Sequence, residues 1–138
     1  MVYNLDRFVL EQQHVYDGVV EELRRGRKTG HWVWFIFPQV AGLGSSAMSQ
    51  RFAIASLDEA RAYLAHPVLG ARLRECAGIV LATEGRTAEE IFGPVDAMKL
   101  RSSMTLFNRA APDEPVFALL LDRYYGGVAD EATDARLR

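Results

Sequence analysis

At 138 residues, 49% of them hydrophobic and 25% charged, the chain has the size and composition of one globular domain whose core needs no covalent staples. Its formal charge of −2 gives no whole-molecule attraction to nucleic acid or anionic lipid, and the single Cys76 excludes an internal disulfide and a cysteine-rich zinc pattern. Asn4, Asp6, Arg7 and Glu11 interrupt anything like a secretory leader, and the longest apolar run, Trp32 to Pro38, is far too short to span a bilayer, so a cytoplasmic protein that avoids membranes is expected.

Leu5, Phe8 and Val9 share a helical face behind Asn4, a candidate N-cap. Val15, Tyr16, Val19 and Leu23 continue the helical spacing, as one long helix or as two with a bend near Gln13. Gly26 is placed to end it, after Arg24 and Arg25 in a last turn where cations suit the macrodipole. Arg27-Lys28-Thr29-Gly30 then delivers the densest aromatic stretch of the chain, His31-Trp32-Val33-Trp34-Phe35-Ile36-Phe37-Pro38-Gln39. It does not alternate polar with apolar residues, so a short helix or irregular buried segment ended by Pro38 is expected. Ser45 or Ser46 caps a brief helix over 47–52.

Ser56-Leu57-Asp58-Glu59 and Thr87-Ala88-Glu89-Glu90 both fit the capping-box pattern. Between them, Pro67 opens a helix whose apolar face carries Leu69, Leu73, Cys76 and Val80. The helix after Gly93-Pro94 buries Ala97, Leu100, Met104, Phe107 and Ala111, and the last has Val116, Phe117, Leu120, Leu121 and Tyr124 on one side. Gly126-Gly127 ends that helix, and residues 129–138 read as a frayed polar tail. The expectation is an all-α domain over 1–128 with six or seven helices.

No catalytic motif can be tested by spacing. His14, His31 and His66 lack ligand spacing, so neither a metal nor a cofactor is expected. Gly42-Leu43-Gly44-Ser45-Ser46 leads into a helix, but it lacks the lysine and spacing of a phosphate-binding loop. Lys99 lies one helical turn from Ser102 and Ser103, which suits anion binding or, on a chemical precedent, a serine–lysine nucleophile. Two adjacent serines inside a helix hint at a use other than helix propensity. Phe35, Ile36 and Phe37 are explained by burial alone. The aromatic and polar groups at the ends of that stretch are not.

The stretches Leu5-Asp6-Arg7-Phe8, His31 to Gln39, Gly42-Leu43-Gly44, Ser45-Ser46-Ala47-Met48, Ala60 to Gly70, Ile91-Phe92-Gly93 and Lys99 to Phe107 resemble, over nearly the whole chain, the bacterial family known as domain of unknown function 1810. At Gln13-His14 the sequence departs from that family's acidic residue followed by proline. The resemblance implies a compact, mostly helical fold, loosely like stacked helix pairs, and no activity. The calpastatin-like label attached to some members finds no support in these residues. Three functions are compatible with the sequence. The leading one binds a small anionic or nucleotide-like ligand through His31, Trp32, Trp34, Gln39, Lys99, Arg101 and Ser102. The others are a helical protein-interaction module and a hydrolase of a nucleotide-like or glycosidic substrate that uses Lys99 or His31.

Overall fold

The computed structural model describes residues 3–138, so Met1 and Val2, at the start of the expected domain, lie outside the described residues. Among the described residues the chain forms ten helices: α1 Asp6–Gln13, α2 Tyr16–Arg24, α3 Val33–Ile36, α4 Ala47–Arg51, α5 Leu57–Ala65, α6 Leu69–Ala82, α7 Ala88–Phe92, α8 Pro94–Ala110, α9 Pro115–Tyr125 and α10 Glu131–Leu137. The fold is all-α and compact, but ten helices replace the expected six or seven. Helices as short as α3, α4 and α7 do not persist alone in water; caps and tertiary packing hold them here. No described helix is long and apolar enough to cross a membrane.

The first helical region is two helices. The bend falls at His14–Val15, where Val15 leaves the helical basin and its N–H donates to Gln12 O at 3.0 Å. Just before the bend, the buried Gln12 amide donates to Phe35 O at 2.6 Å and to the Tyr63 hydroxyl at 3.1 Å. A buried amide in an apolar core needs such partners.

The caps follow the sequence with one difference. Thr87 and Glu90 close a complete capping box on α7. Ser56 caps α5 by accepting from Glu59 N–H at 3.2 Å, yet the Glu59 carboxylate turns away from Ser56. It accepts from Ala55 N–H at 2.7 Å and pairs with Arg7 at 3.1 Å, so the second half of that box ties α1 to α5 instead.

The core is crossed by a chain of ring contacts, Phe35–Phe52–Phe8–Tyr63–Phe107–Phe117, with neighbouring centroids 5.1 to 5.8 Å apart. These tilted and edge-on contacts suit the ring quadrupoles and bury the bulk of each side chain. Phe107 sits on α8, the central helix, which packs against α3, α5, α7, α9 and α10. Its buried set runs to Ala110 instead of Ala111, which becomes the C-cap.

Two connections shape the surface near α8. The only isolated bridge of the described residues pairs Val40 with Ile54 and draws together the ends of the loop that holds Gly42 to Ser46 and α4. Residues 129–138 do not fray. Asp130 caps α10 by accepting from Thr133 N–H at 3.0 Å, Thr133 is fully buried, and Arg109 of α8 forks onto Asp134 at 2.8 and 2.9 Å. Arg136 then donates to Gly42 O at 3.1 Å, and the side-chain-free Gly42 (φ +94°) leaves room for its guanidinium. α10 therefore closes one side of the Gly42–Ser46 loop.

Candidate ligand site at the tryptophan–lysine cluster

The aromatic stretch separates its two tryptophans. Trp32 is 3% exposed, with its ring against Phe37 and Phe92 at 6.4 and 6.3 Å between centroids. Its indole N–H donates to Glu22 Oε1 at 3.1 Å, and the same oxygen accepts from the N–H groups of Thr29 at 2.6 Å and Gly30 at 2.8 Å. Burial pushes the Glu22 carboxyl up, but the hydrogen bonds from Gly30, Thr29 and Trp32 outweigh it and hold the group below the usual carboxylate range. Glu22 is thus a clamp on the loop that precedes α3.

Trp34, two residues on, packs against the edge of the core and is half-buried, and its indole N–H is enclosed without a partner among the described residues. Lys99 of α8 lies over its face, with Nζ 4.7 Å from the ring centroid. Lys28 lies over Trp32 in the same manner at 5.1 Å. Asp96 sits between the two lysines, with Oδ2 2.6 Å from Lys28 Nζ and Oδ1 3.6 Å from Lys99 Nζ. Two cation–π pairs therefore share one carboxylate, itself in the first turn of α8 where an anion suits the helix dipole. The lysines are not equivalent. Lys28 is 5% exposed and also donates to Gly30 O, whereas Lys99 is 21% exposed and reaches a cleft.

That cleft has a volume of about 260 Å³. Its polar wall comprises Lys99, Gln39, Ser49, Ser102 and Asp130; Leu43, Val95 and Met98 supply the apolar part. Ser102 Oγ lies 3.0 Å from Asp130 Oδ2 and 3.2 Å from Met98 O. Asp130 Oδ2 also accepts from the Thr133 N–H and hydroxyl, so three donors blunt its charge. Lys99 shares Asp96 with a second cation. The formal charges of Lys28, Lys99, Asp96 and Asp130 cancel around the cleft.

The residues expected from sequence divide accordingly. Gln39, Lys99 and Ser102 share the cleft, and Trp34 supports Lys99 from beneath. Trp32 is walled off behind Lys28 in the core. His31 is exposed, with no hydrogen bond among the described residues, and does not line the cleft. Arg101 turns away: its Nε donates to Val128 O at 2.8 Å and its guanidinium lies 5.6 Å from the Tyr125 ring centroid. No hydrogen bond joins Lys99 to Ser102, and the Ser103 hydroxyl is buried without a partner, so the described residues hold no assembled serine–lysine pair. Sequence reasoning missed Lys28, Asp96, Ser49 and Asp130. Asp96 stands three residues before Lys99 on one helix, a spacing that could have signalled the ion pair.

A family model described as a protein of unknown function, DUF1810, matches residues 2–137. The chain is also similar to the crystal structure of the conserved hypothetical protein Rv1873 from Mycobacterium tuberculosis, with 57% identity and a TM-score of 0.97 over 98% of this chain and 96% of that one. Among curated proteins none matches.

Proposed function

The chain belongs to the DUF1810 family, whose description carries no activity, and from the geometry of its own residues we propose that it binds a small anion in the Lys99 cleft. The observation that carries this reading is the placement of Lys99. Its ammonium is held over Trp34 by ring and carboxylate, so little side-chain freedom is left to lose when a ligand arrives. The Gln39 amide and the Ser49 hydroxyl supply polar partners, while Leu43, Val95 and Met98 suit an apolar body on the same ligand. A volume of about 260 Å³ lies at the small end of ligand sites, which favours a compact carboxylate over a nucleotide.

Thermal denaturation against a panel of small carboxylates tests this, because a ligand that binds only the native state raises its apparent stability. At least one carboxylate should stabilise the wild-type chain, and Lys99→Ala should abolish the effect. Stabilisation that is equal in both removes Lys99 from the site.

A second reading rests on a separate observation. Val95 and Met98 are 65% and 71% exposed and lie one turn apart on the lip of the same cleft. A protein partner that docks there is the interaction-module alternative. Met98→Glu would then abolish partner capture; retained capture counts against it.

A further inference from the structure

Away from the Lys99 cleft, the ends of α2 and α6 flank an open surface cleft of about 480 Å³, lined by the exposed Arg24, Arg25 and Arg86 and by Gly26 and Thr83 among others. Three guanidinium groups line it, and Glu84 is the one carboxylate among its described lining residues. Cations at helix C-termini usually need no further explanation, since they complement the carbonyl ends. Here the carbonyls of Glu22, Leu23, Val80 and Thr83 already have other partners.

At the end of α2, Gly26 N–H donates to Leu23 O at 3.0 Å and Arg27 N–H donates to Glu22 O at 3.1 Å, the paired bonds of a Schellman ending. At the end of α6, Val80 O accepts from the Tyr124 hydroxyl at 2.6 Å, and Thr83 O accepts from Arg123 at 2.6 Å and from Tyr124 at 3.2 Å. Neither ending uses the side chain of Arg24 or Arg86. Both of these guanidiniums lack a hydrogen bond or ion pair among the described residues, whereas Arg25 is paired with Glu21 at 3.0 Å. Glu90, whose carboxyl is held low mainly by the Thr87 N–H, feels Arg86 only as the smallest of its influences.

Arg86 is nevertheless placed. Its Cδ and Nε lie 3.2 Å from where a Cβ on Gly26 would stand, so the buried, left-handed Gly26 (φ +71°) is the surface on which this arginine rests. A glycine that ends one helix thus seats an arginine from the loop after another, beside Arg24.

We infer that this arginine cleft is a second anion site, distinct from the Lys99 cleft, and that it takes a phosphate dianion, free or as the monoester of a small molecule. Planar guanidinium forks match the tetrahedral oxygens of phosphate, and two of them without carboxylate partners supply the charge.

The test is a titration of the whole chain, followed by amide ¹H–¹⁵N spectra at constant ionic strength, with phenyl phosphate and inorganic phosphate in parallel. Saturable shifts are expected at residues 24–27 and 79–86, with about tenfold weaker binding in Arg86→Gln and in Arg24→Gln. Spectra of the free variants that overlay the wild type elsewhere show that they fold. Tighter binding of phenyl phosphate identifies a monoester site, and equal binding a free-phosphate site; either supports the inference. Lys99→Ala should leave the shifts at residues 24–27 and 79–86 unchanged with both probes. Shifts that never saturate, Arg86→Gln binding as tightly as wild type, or a short single-stranded DNA that binds more tightly and equally well to Arg86→Gln would each overturn it.

Discussion

Lys28 and Lys99 show how burial divides two chemically identical groups. Each lies over a tryptophan and each touches Asp96, but one is enclosed and the other opens onto a cleft. Lys28→Ala removes an enclosed ammonium that serves both Asp96 and Gly30 O and leaves Asp96 only its longer contact to Lys99, so it should cost roughly 2–3 kcal/mol in denaturant unfolding. Lys99→Ala should cost about 1 kcal/mol or less, because a partly exposed cation–π contact is weak. Equal losses would mean that Lys99 is as structural as Lys28. Glu22 gives a pH prediction. Its carboxyl binds protons less readily in the folded chain than in the unfolded one. The stability it contributes is therefore present above the unfolded carboxylate range and is lost as pH falls through the lower folded value. Glu22→Gln should flatten the acid limb of stability against pH, and an unchanged limb would show that the Glu22 clamp is not linked to folding.

Among the elements, α10 was the least legible in the sequence. Its one buried side chain is Thr133, and polar contacts to Asp130, Arg109 and Gly42 attach it. Such an element carries no apolar stripe for periodicity to detect. The faces of α6, α8 and α9 were readable because Leu, Phe and Ala recur at helical spacing and are in fact buried. The same physics predicts that α10 opens first. Hydrogen exchange of residues 131–137 should be faster than that of α8, and Asp130→Ala, which removes the cap and the contact to Ser102, should speed it further. Protection in α10 equal to that of α8 would contradict this. The approach of α5 to α6 depends on Gly70, where an added Cβ would stand 2.1 Å from the backbone oxygen of Leu64. Gly70→Ala should destabilise the chain by about 3 kcal/mol or more, since neither backbone can give way cheaply.

At the scale of the whole molecule, the fold explains why only part of the candidate site was visible beforehand. The aromatic stretch and the lysine–serine stretch do meet, because α3 packs against α8. The Glu22 clamp holds the Trp32 indole on the core side, and that contact leaves no mark on spacing. Trp32 therefore turned inward to the core, while Trp34 supports the cleft. Lys28 and Asp96 pair across segments distant in sequence, and Asp130 joins the cleft only because α10 folds back over it.

The central claim is that the Lys99 cleft binds a small anion. Its most direct test is thermal denaturation of the wild type, Lys99→Ala and Arg86→Gln in the presence of the same small carboxylates. The account predicts a carboxylate that raises the midpoint of the wild type and of Arg86→Gln but leaves Lys99→Ala unmoved. No shift with any carboxylate, or an equal shift in Lys99→Ala, would contradict it.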